Sequence, residues 1–285
     1  NVVVGDEAGT AITTGDNNTA IGKDAGLSVT TAAQNTLIGA SSGDALTTGG
    51  NNVAVGISAL SSDTTGGKSV GIGYAALLNQ NQTGGADAFN TAVGASAGLS
   101  VSTGVKNTLI GALAGDALTT GSLSVAVGYH ALGAEDTGGR NVAVGYQALA
   151  AQNSDTTNYN TAVGYQSGLS VTTGTLNTLI GSLAGDALDV GGANVAVGVG
   201  ALGADTKGSR SVAIGMNALE TQNFTSATNA DNVAIGFEAA QALTTGGNLT
   251  AVGKGALANC LTANNNTAVG LRALGSVTTG AQNTG

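Results

Sequence analysis

The spacing of one dipeptide constrains this chain more than any other feature. Sixteen short runs end in Val/Ile-Gly, at Gly5, Gly22, Gly39, Gly56, Gly73, Gly94, Gly111, Gly128, Gly145, Gly164, Gly181, Gly198, Gly215, Gly236, Gly253 and Gly270. The glycines stand 17 residues apart, except for intervals of 21, 19 and 21 that follow Gly73, Gly145 and Gly215. A fixed period of this size describes a solenoid, in which each repeat is one coil that buries its apolar face only by stacking on its neighbours. Such an array is one quasi-linear domain whatever its length, so residues 1–285 read as a single β-solenoid domain of about sixteen 17-residue coils. At about 4.8 Å per coil the expected rod is roughly 75 Å long.

A second period lies above the first. The long intervals come once every four coils, and Asn35-Thr36-Leu37-Ile38-Gly39 recurs as Asn107-Thr108-Leu109-Ile110-Gly111 and as Asn177-Thr178-Leu179-Ile180-Gly181. The duplicated unit is therefore four coils.

Composition agrees with thin coils. Forty-eight glycines, no proline, no tryptophan and eight aromatic residues exclude an ordinary core built on large side chains. Only 9% of residues are charged and the net charge is −9, so no basic stripe is available for nucleic acid or an anionic membrane surface. Apolar runs are far shorter than the roughly 20 residues that span a bilayer, and no signal peptide is recognisable. The chain starts at a coil boundary and stops inside another motif, Asn283-Thr284-Gly285, so it is expected to be a piece of a longer fibrous protein whose targeting and anchoring parts lie elsewhere.

Positions within a coil are counted from its motif glycine. The residue before it is Val or Ile in every coil, the third before divides evenly between Val and Thr, and the second before is usually Ala. Side chains alternate along a strand, so the two β-branched columns share one face and the Ala column looks the other way; the Ala column suits either a thin interior or a tight interface between subunits. The third residue after the glycine is Ala in fourteen coils and Ser at Ser42 and Ser167, a column held small by a close packing constraint. The fourth and seventh positions compensate. Gly26, Gly43, Gly98 and Gly115 accompany Val29, Leu46, Val101 and Leu118, whereas Leu60, Leu77, Leu132 and Leu149 accompany Asp63, Gln80, Glu135 and Gln152. Each coil is thus expected to have room for one large aliphatic group at this level. Cys260 occupies the seventh position of its coil and reads as a small buried hydrophobe; as the sole cysteine it forms no internal disulfide. The Thr-Thr-Gly that follows in most coils, as at Thr13-Thr14-Gly15, suggests a second short strand before the turn into the next coil.

Ser211-Val212-Ala213-Ile214-Gly215, Asn141-Val142-Ala143-Val144-Gly145 and Asn18-Thr19-Ala20-Ile21-Gly22 resemble the Ser-Val-Ala-Ile-Gly repeat of the YadA-like trimeric autotransporter adhesin heads, and equally the Asn-Thr-Ala-Ile-Gly repeats of phage tail fibres. The resemblance covers essentially the whole chain. It implies an all-β fold, a left-handed parallel β-roll, assembled as a homotrimer that binds host surfaces. The adhesin-head coil is shorter and usually carries Ser where this chain has Ala at the third position. A left-handed hexapeptide β-helix is the alternative fold.

The three long intervals, about Leu78–Phe89, Ala150–Tyr159 and Glu220–Asp231, are expected to bulge from the solenoid, and loops carry recognition more often than the elements they join. Asn79, Gln80, Asn81, Gln82, Phe89, Asn153, Tyr159, Asn223 and Phe224 are the candidate surface-binding residues, able to hydrogen-bond and stack on glycans; the alternative is spacer loops packed over a neighbouring subunit. No enzyme is expected. His130 is the only histidine and lies in a turn, Asp44, Asp116 and Asp186 recur once per four coils as charged turn residues or isolated Ca²⁺ ligands, and Gly67-Lys68-Ser69 lacks the first glycine of a phosphate loop, with Ser62 in its place. No cofactor is implied. The expected role is an extracellular, cell-surface or virion-surface fibre segment that attaches to a host glycan or surface protein as a homotrimer. A purely structural filament and an ice-binding solenoid, the latter suggested by the Thr-Thr ladder, are the alternatives.

Overall fold

A computed structural model describes the whole chain, residues 1–285. It is all-β, with no helix, and its sixteen motif strands are parallel and recur about 17 residues apart as the rungs of a β-solenoid. The chain falls into two compact units, Asn1–Asn141 with Asn153–Thr157, and Val142–Gln152 with Asn158–Gly285. The first carries β1 (Val2–Val4), β2 (Thr19–Ile21), β3 (Thr36–Ile38), β4 (Val53–Val55), β5 (Val70–Ile72), β6 (Thr91–Val93), β7 (Thr108–Ile110) and β8 (Val125–Val127). The second carries β9 (Val142–Val144), β10 (Thr161–Val163), β11 (Thr178–Ile180), β12 (Val195–Val197), β13 (Gly208–Ser209), β14 (Val212–Ile214), β15 (Thr228–Asn229), β16 (Val233–Ile235), β17 (Thr250–Val252) and β18 (Thr267–Val269).

Within each unit the motif strands pair in register, column on column. Thr19 meets Thr36, Ala20 meets Leu37 and Ile21 meets Ile38. The register survives a long interval, since Val70 pairs with Thr91 and Ile72 with Val93, so the extra residues leave the coil without shifting the ladder.

The structure settles which face is inside. The middle residue of each motif strand after β1 is buried and its two neighbours are half-buried or exposed, so the Ala/Leu column faces the interior and both β-branched columns face out. The third-position Ala column is buried beside it. The motif glycine is fixed by a close approach of main chains: Gly39 has φ +131° and a methyl group there would stand 2.5 Å from the Gly56 carbonyl oxygen of the next coil.

The interior also explains the four-coil period. Where Gly26 is followed by Gly43, Gly98 by Gly115 and Gly168 by Gly185, a leucine of the strand column fills the space above both, while Gly9 is met by Ile12 and Val3. The Leu37 methyls lie 2.7 Å from where Cβ atoms of Gly26 and Gly43 would stand, and Leu109 relates to Gly98 and Gly115 in the same way, at 2.8 Å. Where successive coils have Leu at the fourth position, as at Leu60 and Leu77, the strand column shrinks to Ala54 and Gly71. The expected one-aliphatic rule therefore operates across neighbouring coils, with the fourth, seventh and strand columns sharing one volume.

The second strand expected at Thr-Thr-Gly does not form. The amides of Thr13, Thr14 and Gly15 all converge on the single carbonyl of Thr30, at 3.0, 3.3 and 3.2 Å, and three donors on one acceptor make a bend and not a ladder. The first threonine ties this side together instead: the hydroxyls of Thr13, Thr30 and Thr47 donate to the Thr30, Thr47 and Thr64 carbonyls of the following coils. Only β13 and β15 pair here as strands.

Candidate surface-binding site

The long intervals leave the coil at the Thr-Thr-Gly corner, and each is rooted by a buried carboxylate from the coil before. Asp63 Oδ1 accepts the amides of Gly66 at 2.8 Å and Gln82 at 3.3 Å, while Gln80 Nε2 donates to Asp63 Oδ2 at 2.7 Å and to Ser69 Oγ at 3.0 Å. Asn90 closes the group by donating to Gln80 Oε1 at 2.9 Å. The third loop repeats this bond for bond: Asp205 accepts from the amides of Gly208 and Phe224 and from Gln222, and Gln222 in turn donates to Ser211 and accepts from Asn232. At the second loop Glu135 Oε1 accepts the amides of Gly138 and Ser154 at 2.9 and 3.3 Å. A buried charge is tolerated only when hydrogen bonds replace its water, and here main-chain N–H groups supply them at the point where each loop departs. The polar seventh residues are thus inside: Asp63, Gln80, Glu135, Gln152, Asp205 and Gln222 are all fully buried.

This architecture divides the candidate residues. Gln80, Gln82 and Phe224 are buried, and their side chains belong to the loop roots. Asn79, Asn81, Phe89, Asn153, Tyr159 and Asn223 are exposed. Asn81 and Asn223 already accept the hydroxyls of Thr64 and Thr206, both at 3.0 Å. Phe89, 47% exposed, carries Lys68 Nζ 5.2 Å from its ring centroid, and the same ammonium pairs with Asp87 at 2.7 Å. Phe89 and Tyr159 are both held at positive φ, +53° and +55°, which turns their rings outward at the end of their loops.

A second exposed set lies one residue after the motif glycine. Tyr74, Tyr129, Tyr146 and Tyr165 are all exposed there, and Tyr146 and Tyr165 stack at 5.4 Å with their planes 10° apart. His130 follows at positive φ, half-buried, with its ring 6.2 Å from that of Tyr129; Nδ1 is buried without a hydrogen-bond partner. Asp44, Asp116 and Asp186 stand singly, each with its carboxyl raised above the usual range first of all by burial; the His130 charge partly offsets this at Asp116. Cys260 is buried, which pushes its thiol up. No three His, Cys, Asp or Glu side chains gather in one place.

The asparagines that open the motif have a role that the glycine spacing does not reveal. Asn18 Oδ1 accepts the amide of Asn35 at 3.0 Å, Asn35 Oδ1 that of Asn52 at 2.9 Å, and the amide groups of Asn18 and Asn35 donate to the Ala32 and Gly49 carbonyls at 2.8 and 3.0 Å. This buried ladder staples the strand to the opposite corner and coil to coil. The signal in the sequence is an amide at the fourth position before the glycine in twelve of sixteen coils, with Ser69, Ser124, Ser211 and Leu249 in the others.

Comparison with family models, with curated proteins and with solved structures returned no match.

Proposed function

We propose that this chain is a segment of an extracellular or virion fibre that attaches a cell or virion to a surface, working as a homo-oligomer with three copies. The observation that carries this reading is the outer face of the motif strands. Its two columns hold only Val, Thr and Ile, without one charge, and Ile72, Ile110, Ile180 and Ile214 remain 37 to 39% exposed. Uncharged apolar surface on this scale marks an interaction site, and a repeating face is most simply covered by the same face of an identical chain. Loops rooted by buried carboxylates, with Phe89 and Tyr159 outward, then serve as the attachment points, and weak contacts repeated around an oligomer gain through avidity.

Light scattering tests the assembly: three times the chain mass is expected, with Ile110→Asp giving a folded monomer of unchanged circular dichroism. A monomeric parent chain overturns it. Attachment is tested by replacing the three long coils with plain 17-residue coils, which should abolish adhesion to cells or glycan arrays; undiminished adhesion overturns that half. The second reading, a structural filament without ligand, is favoured by the burial of Gln80, Gln82 and Phe224, which makes part of the first and third loops a packing element.

A further inference from the structure

The second unit contains a groove of about 560 Å³ that runs over the coils beside the root of the third long interval, whose Thr221 borders it, and two glycines help to open it. Residues two and five after the motif glycine border a furrow along the coils. At several other coils the furrow is occupied, by His130, Gln147 or Leu183 at the second position and by Asp44, Asp116 or Asp186 at the fifth, whereas Gly200 and Gly203 leave it low in one earlier coil of the same unit. Gly255 and Gly275 remove both fillers, and Ala242 and Ala258 keep the floor low. The cavity falls within the size range of sites for small ligands.

Its rim carries charge of both signs. Glu238 and Arg272 stand on either side of Gly255 in the same column, two coil spacings or about 9.6 Å apart. Lys254 stands beside them, its ammonium 5.2 Å from the Phe237 ring centroid. None of the three forms an ion pair, unlike Lys68 with Asp87 and Arg210 with Asp231. The amides are already oriented. Asn259 Nδ2 donates to the Gly275 carbonyl and Gln241 Nε2 to Glu220, both at 2.6 Å, so each has its side-chain oxygen left to accept. Two cations, a carboxylate and two amide acceptors around one concavity are an unusual concentration in a chain that is 9% charged.

We infer that this groove binds a carboxylate-bearing saccharide, with Arg272 and Lys254 taking the sugar carboxylate and Glu238 and Asn259 accepting its hydroxyls. A guanidinium fork matches a carboxylate geometrically, and sugar hydroxyls are the complement of acceptors that have no donor of their own. The inference rests on the attachment reading above and names its ligand class, at a site centred on Gly255 and Arg272 and distinct from Phe89 and Tyr159.

The test is calorimetric or NMR titration of the full chain with trigalacturonate, with maltotriose as the neutral control. Trigalacturonate should bind, more weakly as salt rises, and maltotriose should not. Arg272→Gln with Lys254→Gln should weaken binding about tenfold or more, whereas Lys23→Gln should leave it unchanged. Gly255→Gln refills the furrow with a side chain that Gln147 and Gln166 show to be compatible with this left-handed position, and it keeps every charge; it should abolish binding at an unchanged melting temperature. Absence of trigalacturonate binding, or binding indifferent to Gly255→Gln, overturns the inference. Adhesion that persists in the groove variants and disappears with the loop replacements would also overturn it while leaving the attachment reading standing. Trigalacturonate binding without adhesion would do the reverse.

Discussion

The fourth residue after each motif glycine is held at positive φ in all sixteen coils, by Gly in seven, Leu in eight and Ala240 in one. A left-handed leucine is a costly choice, of order 1–2 kcal/mol against the right-handed region, and it persists because the side chain is fully buried in the seventh-position level of the core in every case but Leu274. This inverts the usual order of truncation. Leu132→Gly should be more stable than Leu132→Ala by about 1 kcal/mol, although both lose the packed leucine; urea denaturation of the two variants decides it. The motif glycine behaves differently, because its constraint is a neighbouring main chain. Gly39→Ala should cost about 3 kcal/mol or more, whereas Gly84→Ala, in a loop with open space around it, should cost only about 1 kcal/mol. The packing constraint at these columns was legible in the sequence, as was the burial of Cys260. The left-handed backbone beneath Leu132 was not, since leucine carries no mark of its φ.

Among elements, the loop roots show how a coil is lengthened without loss of register. Each long coil has Gln at its seventh position and each preceding coil an acid, and the acid binds the amides on both sides of the departure point. Asp63→Ala removes the acceptor from Gly66, Gln82 and Gln80 together. It should leave β4 and β5 paired while the 83–87 segment becomes the first site of limited proteolysis, at least tenfold faster than in the parent chain; an unchanged cleavage rate would show that the carboxylate does not anchor the loop. The alternation of aliphatic and polar residues at these positions was visible in the sequence. That the polar members are buried was not, because a lone Asp or Gln reads as a surface residue until its partner 17 or 19 residues away is placed beside it. The second strand failed for a related reason: β-branched Thr-Thr favours extension, but three amides sharing one carbonyl leave no ladder to join.

At the scale of the whole molecule, acidity enters through the three aspartates that recur once per four coils. Burial raises their carboxyls above 3.8 in the fold, so the folded state holds protons more tightly than the unfolded chain there, and stability falls as pH rises through the folded values. At neutral pH each of these carboxylates is a liability. Asp186→Asn should raise the melting temperature at pH 7 and lose that advantage below about pH 3.8, where the parent carboxyl is also protonated. Asp44→Asn should do the same, since its carboxyl is raised first of all by the same burial. Thermal melts of the variants between pH 3 and 7 check both signs. The sequence showed the recurrence of these residues and the repeat architecture around them; their half-buried setting comes from the furrow, which only the stacked coils create.

The leucine that spans two glycines has a further consequence for how such a chain lengthens over generations. A crossover shifted by one coil would set a Leu37 equivalent against a Leu60 equivalent and leave a void one coil later, so most misaligned recombinants fail to fold. Only exchanges in phase with the whole block are silent. Inherited length is therefore quantised, and natural variants of this array should differ by 70- or 72-residue steps, the separations of Gly39, Gly111 and Gly181, and not by single 17-residue turns.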